Sequence, residues 1–263
     1  MVEGRRHEVI SGDGTRIGLL TAGQGPQLLL VHGGMGAIEA WAPLWAKLTS
    51  HWQVTAMDRR GRASSGDTGP YSLTKEYADV AAVAASLAGA GPVDVFGHSY
   101  GATCVLGAAA GGAPVRRIAL YEPGGPQTVP REWLDRVQVM LAEGRKLRVM
   151  MSFLTEIIGV TPERIRELRS TPRSYSVLPI MAATLPREAQ ALASADLPGL
   201  AAAVRVPALL ILGTQTPAWA ADIIGELQSA LPDSELAILD GQGHEATDTA
   251  PELIASLLLE FFN

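Results

Sequence analysis

Short apolar runs punctuated by turn residues open the chain. Arg16 to Ala22, the turn Gly23-Gln24-Gly25-Pro26 and the run Leu28-Leu29-Leu30-Val31 predict antiparallel strands followed by a buried one. From Leu28 the pattern switches repeatedly between strand and helix periods. It predicts a helix from Glu39 to Thr49, a strand from Gln53 to Met57 and a helix from Leu73 to Leu87. A strand from Val93 to Phe96, a helix from Gly101 to Ala110 and a strand from Arg117 to Tyr121 follow. Such alternation builds a parallel sheet covered by helices on both faces. Leu28 to Val31 shows no polar alternation, as a strand buried on both sides requires.

The strand signal stops after Tyr121-Glu122-Pro123-Gly124-Gly125-Pro126. Helical periodicity then predicts segments at Trp133 to Glu143, Leu147 to Ile158, Pro162 to Leu168 and Ser176 to Leu185, with Pro162 in a first-turn position. Alternation resumes with a strand from Ala208 to Leu212, a helix from Ala218 to Ala230, a strand from Glu235 to Leu239 and a helix from Pro251 to Phe262. The helical stretch therefore interrupts one sheet: residues 1–124 and 206–263 form the core and 125–205 an insertion.

With 263 residues, 47% of them hydrophobic, the chain can bury a full core without disulfide or metal. The single cysteine, Cys104, and the absence of closely spaced histidines predict no metal site, no cofactor and a reducing, cytoplasmic setting. No run of eighteen apolar residues is present, so no membrane span is expected. The net charge of −6 argues against nucleic acid as a partner, and the basic cluster Arg59-Arg60-Gly61-Arg62 is short and isolated. The expected partner is a small-molecule substrate.

Candidate chemistry centres on Gly97-His98-Ser99-Tyr100-Gly101, which follows a buried strand and opens a small-residue helix. A Gly-x-Ser-x-Gly segment in that setting forms a sharp turn that lifts the serine hydroxyl above the sheet, and the glycines let strand and helix approach. A dinucleotide site at His32 to Asp58 competes weakly, because Glu39 stands near where the third glycine would be needed.

Over nearly its whole length the chain resembles the α/β-hydrolase superfamily. Val31-His32-Gly33-Gly34-Met35-Gly36 resembles its oxyanion loop, and Asp58-Arg59-Arg60-Gly61-Arg62-Ala63-Ser64-Ser65-Gly66 its Asp-x-Arg-Gly turn. Leu239-Asp240-Gly241-Gln242-Gly243-His244 resembles the last strand and its histidine loop. The resemblance implies an α/β fold with a mostly parallel eight-stranded sheet and an inserted helical lid. It also implies Ser99 as nucleophile and oxyanion donors from the N–H groups of Tyr100 and of Gly34, with Met35 as the alternative.

Five histidines compete for the role of base. His7 and His51 lie away from the catalytic loops, His98 should point elsewhere at the sharp turn, and His32 is better suited to holding the oxyanion loop. His244 remains, in the serine-then-histidine order this fold uses. The usual acid position is empty: after Ala208 to Leu212 the chain reads Gly213-Thr214-Gln215-Thr216-Pro217-Ala218-Trp219. Glu122, ending the strand after the nucleophile helix, is the best replacement, a location some members of the superfamily use; Asp222, Glu245 and Asp248 rank lower. His32, Trp133, Met150 and Met181 are the candidate substrate contacts. These expectations describe a serine hydrolase acting on an ester, lactone or thioester of a mid-sized apolar molecule. The alternatives are a lyase, cyclase or acyltransferase on the same scaffold, or an inactive binding protein.

Overall fold

The computed structural model describes residues 2–91, 93–170 and 184–263. Strands β1 (Arg5–Ile10), β2 (Arg16–Ala22), β3 (Gln27–Val31), β4 (Gln53–Met57), β5 (Val93–His98), β6 (Val115–Tyr121), β7 (Ala208–Gly213) and β8 (Ser234–Leu239) form one sheet in the order β1-β2-β4-β3-β5-β6-β7-β8. β2 runs antiparallel to β1 and β4, and the pairs from β4 through β8 are parallel. β1 was not separately assigned from the sequence because Arg5-Arg6-His7-Glu8 leaves it almost without an apolar face.

The helices are α1 (Ala42–Thr49), α2 (Leu73–Leu87), α3 (Tyr100–Ala110), α4 (Arg131–Ala142), α5 (Lys146–Ser152), α6 (Pro162–Ser170), α7 (184–192), α8 (Leu197–Ala203), α9 (Ala218–Ala230), α10 (Ala246–Thr249) and α11 (Pro251–Phe262). Alternation along the central strands divides the core in two. Leu29 and Val31 pack with Val83, Leu106 and Ile223 under α2, α3 and α9, while Leu28 and Leu30 pack with Leu44, Ile254 and Leu258 under α1 and α11. Each such side chain removed from water contributes about 1.5–3 kcal/mol, which is why β3 reads as an unbroken apolar run.

Between β6 and β7 the described residues hold helices α4 to α8 and no strand, with a small core of Trp133, Val137, Val149, Phe153, Leu185 and Ala189. The expected helix Leu147 to Ile158 is divided: α5 ends at Ser152 and one π-helical turn covers Phe153–Ile157. Most of the expected helix Ser176 to Leu185 lies outside the described residues. α8 escaped the sequence reading; Asp196 starts it by accepting the Gly199 N–H at 3.0 Å. Among the described residues no helix is long and apolar enough to cross a membrane.

The crossing of β5, α3 and β3 fixes the position of Ser99. A Cβ on Gly101 would collide with the carbonyl oxygens of Val31 and His32, so α3 can begin this close to β3 only with glycine there. Gly101→Ala should lower the unfolding free energy by about 3 kcal/mol in urea titrations. Gly225→Ala, inside α9 where an added Cβ meets nothing within 4 Å, should raise it by about 0.5–1 kcal/mol.

Candidate active site

Ser99 joins β5 to α3 with φ 55° and ψ −125°, a backbone state that costs an L-residue on the order of 1–3 kcal/mol. Its N–H donates to the Tyr121 carbonyl at 2.8 Å, tying the elbow to β6 and leaving the side chain half-buried. Tyr100 is the first residue of α3, so its N–H is one of the helix's unpaired donors at the positive end of the dipole.

Across from this helix start runs the loop after β3. A Cβ on Gly33 would stand 3.0 Å from Ser99 Cβ, so the loop approaches the elbow through a residue with no side chain. Gly34 and Met35 are half-buried, and Met35 takes a positive φ of 59°. The loop is tied at both ends: Asp58 Oδ1 accepts the Ile38 N–H at 2.9 Å, and His32 Nε2 accepts the Arg59 N–H at 3.1 Å. His32 Nδ1 donates to the Gly33 carbonyl at 2.9 Å.

The structure brings Glu122 to His244. Glu122 Oε2 accepts from His244 Nδ1 at 2.6 Å, with both side chains buried. The bond fixes the imidazole so that Nε2 is the free nitrogen. A positive φ of 44° at Glu122 turns its side chain out of the β6 line toward the end of β7. There the loop that lacks an acid supplies donors instead: Gly213 N–H to Oε1 at 2.8 Å and the Thr216 hydroxyl to Oε2 at 2.7 Å. Neither donor was expected from the sequence; the signal was a hydroxyl-rich loop where a carboxylate usually stands. Trp219 closes the pocket edge-on to the His244 ring at 5.3 Å.

Contrary to expectation, His98 does not turn away. Its ring lies 4.7 Å from that of His244 and 5.1 Å from that of Tyr121, and its Nε2 donates to the His244 carbonyl at 2.9 Å. The Tyr121 hydroxyl donates to the Gly243 carbonyl, so two side chains from neighbouring strands pin the histidine loop. The competing acids lie elsewhere: Asp222 is exposed on α9, and Asp248 pairs with Arg164.

Three candidate substrate contacts are buried. His32, Trp133 and Met150 are each 1% exposed. Both ring nitrogens of His32 are spent on backbone groups, and the Trp133 indole donates to Ser152 Oγ at 2.7 Å inside the insertion's own core. The sequence showed their apolar spacing but not which way each helix faced. Met181 lies outside the described residues.

The chain matches the model of the alpha/beta hydrolase family over residues 28–257. It is 35% identical to a structurally solved alpha/beta hydrolase from Sphaerobacter thermophilus, with TM-score 0.84 and coverage of 98% of this chain and 100% of that one. It is 27% identical to an N-formylmaleamate deformylase of Pseudomonas putida over 89% of this chain and 88% of the relative. Similarity to a pimeloyl-acyl-carrier-protein methyl ester esterase of Xanthomonas campestris is 28% identity over 84% and 89% of the two chains. The chain belongs to the alpha/beta hydrolase family and is a hydrolase.

The packing of His32 has a consequence for stability. Burial first, then the Arg59 charge, holds its pKa well below the ordinary value of 6.5. The folded protein thus keeps His32 neutral while the unfolded chain takes up a proton below about pH 6.5. Because the unfolded state binds more protons there, stability should fall with acidification by up to about 1.4 kcal/mol per pH unit from this residue. Urea unfolding at about pH 7 and pH 5 measures the slope; His32→Gln should destabilise at both values yet flatten the slope between them.

Proposed function

We propose that the chain is a serine hydrolase that cleaves an ester, lactone or thioester of a small molecule through an acyl-enzyme on Ser99. The carrying observation is the 2.6 Å bond between His244 Nδ1 and buried Glu122, which leaves Nε2 free to act as a base. In this mechanism His244 Nε2 takes the Ser99 proton as the hydroxyl attacks the carbonyl carbon. Glu122 keeps the imidazole in the required tautomer and stabilises the imidazolium. The N–H of Tyr100 and that of Gly34 or Met35 receive the oxyanion, each donor contributing roughly 3 kcal/mol. His244 returns the proton to the leaving group, then deprotonates water, which attacks the acyl carbonyl and frees Ser99.

The relatives named for N-formylmaleamate and for a methyl ester support a small-molecule acyl substrate. Of the side chains behind the expectation of an apolar substrate, Trp133 and Phe153 pack in the insertion's own core. The helical insertion is proposed as the lid. The motive for a lyase, cyclase or acyltransferase was the missing acid, and Glu122 at His244 removes that motive.

Wild-type protein should release p-nitrophenol from p-nitrophenyl acetate, place one oxygen-18 atom from labelled water in the acetate, and form a fluorophosphonate adduct on Ser99. Ser99→Ala should lose turnover and labelling while keeping its unfolding midpoint. Full labelling of that variant would sink the nucleophile assignment, and a product without water-derived oxygen would favour non-hydrolytic chemistry.

Glu122→Gln keeps the shape but offers an amide where His244 needs an acceptor for Nδ1–H. Turnover should fall about a thousandfold or more, with slow labelling retained. A loss below about tenfold in steady-state assays would mean that serine and histidine act without it.

A further inference from the structure

Arg59 and Arg62 follow β4 in a protein of net charge −6, yet neither reaches solvent. Both turn inward and meet Glu188 of α7, whose Oε1 accepts from Arg59 Nη2 at 2.7 Å and from Arg62 Nη2 at 2.6 Å. Arg59 Nη2 also lies 3.4 Å from Glu76 Oε1 on α2. All four side chains are at most 2% exposed, so water does not screen these charges. Burial acts to raise the Glu188 carboxyl, but the guanidiniums of Arg59 and Arg62 outweigh it and hold it below the ordinary carboxylate range.

The same arginine touches both sides of the oxyanion site. Its backbone N–H holds His32 at the start of the oxyanion loop, and its guanidinium lies 4.3 Å over the Tyr100 ring at the start of α3. Glu188 Oε2, which has no hydrogen-bond partner among the described residues, stands 3.9 Å from where a Cβ on Gly34 would be. Glu188 thus links the helical insertion to the two backbone segments proposed to hold the oxyanion.

We propose that Glu188 is a positioning residue: by clamping Arg59 and Arg62 it sets the spacing between the Gly34 loop and the Tyr100 helix start, so that seating of the insertion completes the oxyanion hole. The proposal rests on the serine-hydrolase reading. α7 has a second tie to the core, Arg187 to Asp67 at 2.7 Å with its guanidinium 4.4 Å over the Tyr71 ring, so loss of Glu188 loosens the clamp without undocking the helix.

Glu188→Gln removes the charge and keeps the shape. One oxyanion donor is worth on the order of a hundredfold to a thousandfold in kcat, and loosening donors without removing them should cost about thirtyfold. That loss should fall on kcat for p-nitrophenyl acetate, with KM changed less than about twofold, and fluorophosphonate labelling should slow in step. Amide hydrogen exchange at residues 33–36 should speed up as well.

The double variant Arg62→Met with Glu188→Leu leaves Arg59 with Glu76 and replaces the remaining buried charges by apolar groups. It should melt near wild-type yet keep the low kcat and fast exchange. Wild-type kcat and exchange in Glu188→Gln, or their return in the double variant, assign Glu188 to stability alone and overturn the proposal. Absence of turnover and labelling in the wild-type protein would instead overturn the serine-hydrolase reading, and the exchange measurement would still decide whether Glu188 orders the loop.

Discussion

A carboxylate with no exposure to water must find its hydrogen bonds inside the protein, and the site is arranged around that requirement at Glu122. Three donors meet it: the Gly213 N–H, the Thr216 hydroxyl and the His244 ring. They come from β7, from the loop beyond it and from the loop after β8, so satisfying one buried charge fixes three chain segments relative to the end of β6. The imidazole orientation follows from this. Removing the charge would leave the Gly213 and Thr216 donors with weaker or missing partners as well as loosening the ring.

Backbone strain gathers at the same end of the sheet. Among the described residues the non-glycine positions with positive φ are Met35, Ala63, Ser99 and Glu122. Met35 is in the loop after β3, Ser99 at the turn between β5 and α3, Glu122 at the end of β6 beside His244, and Ala63 next to Arg62 in the turn that meets Glu188. Each costs on the order of 1–3 kcal/mol and persists only where packing over-determines it. Here the packing is supplied by collisions that only glycine avoids, at Gly101 against β3 and at Gly33 against Ser99, and by ion pairs that burial leaves unscreened. A folding free energy spent this locally marks the strand ends as the place where geometry matters more than stability.

The sheet was legible because its signals are local: strands five to seven residues long with mostly apolar centres, glycines at forced turns and a Gly-x-Ser-x-Gly segment between a buried strand and a helix. Ser99, His244 and Glu122 were candidates through the family resemblance, and the parallel sheet, which brings successive strand ends to one edge, lets Glu122 and His244 meet. What stayed hidden depends on contacts between distant segments. His98 and Tyr121 pin the histidine loop across 146 and 122 residues of sequence, and Arg59 meets Glu188 across 129. A pair of arginines in an acidic protein reads as a surface cluster until α7, whose Glu188 neutralises it, is placed. The packing of Trp133 in the insertion's core was hidden for the converse reason, because helical spacing shows that a face is apolar and not what it packs against.

The proposed acid lies only one strand away from the loop after β7, where the family resemblance predicts one. β6 and β7 are parallel neighbours with Tyr121 opposite Ile211, so Glu122 stands beside the end of the strand that usually carries the acid. A glutamate spans that one-strand offset with its extra methylene, provided the neighbouring position is bare. Gly213 meets this condition: a Cβ there would run into the Gln242 carbonyl and come within 3.2 Å of Glu122 Oε1. A carboxylate restored to the loop after β7 would also face Glu122 across a single imidazole, and two like charges at that separation cannot both stay ionised at low cost. Gly213 and Thr216 therefore hold Glu122 in place, since they fill its remaining lone pairs and Gly213 keeps the space it reaches through.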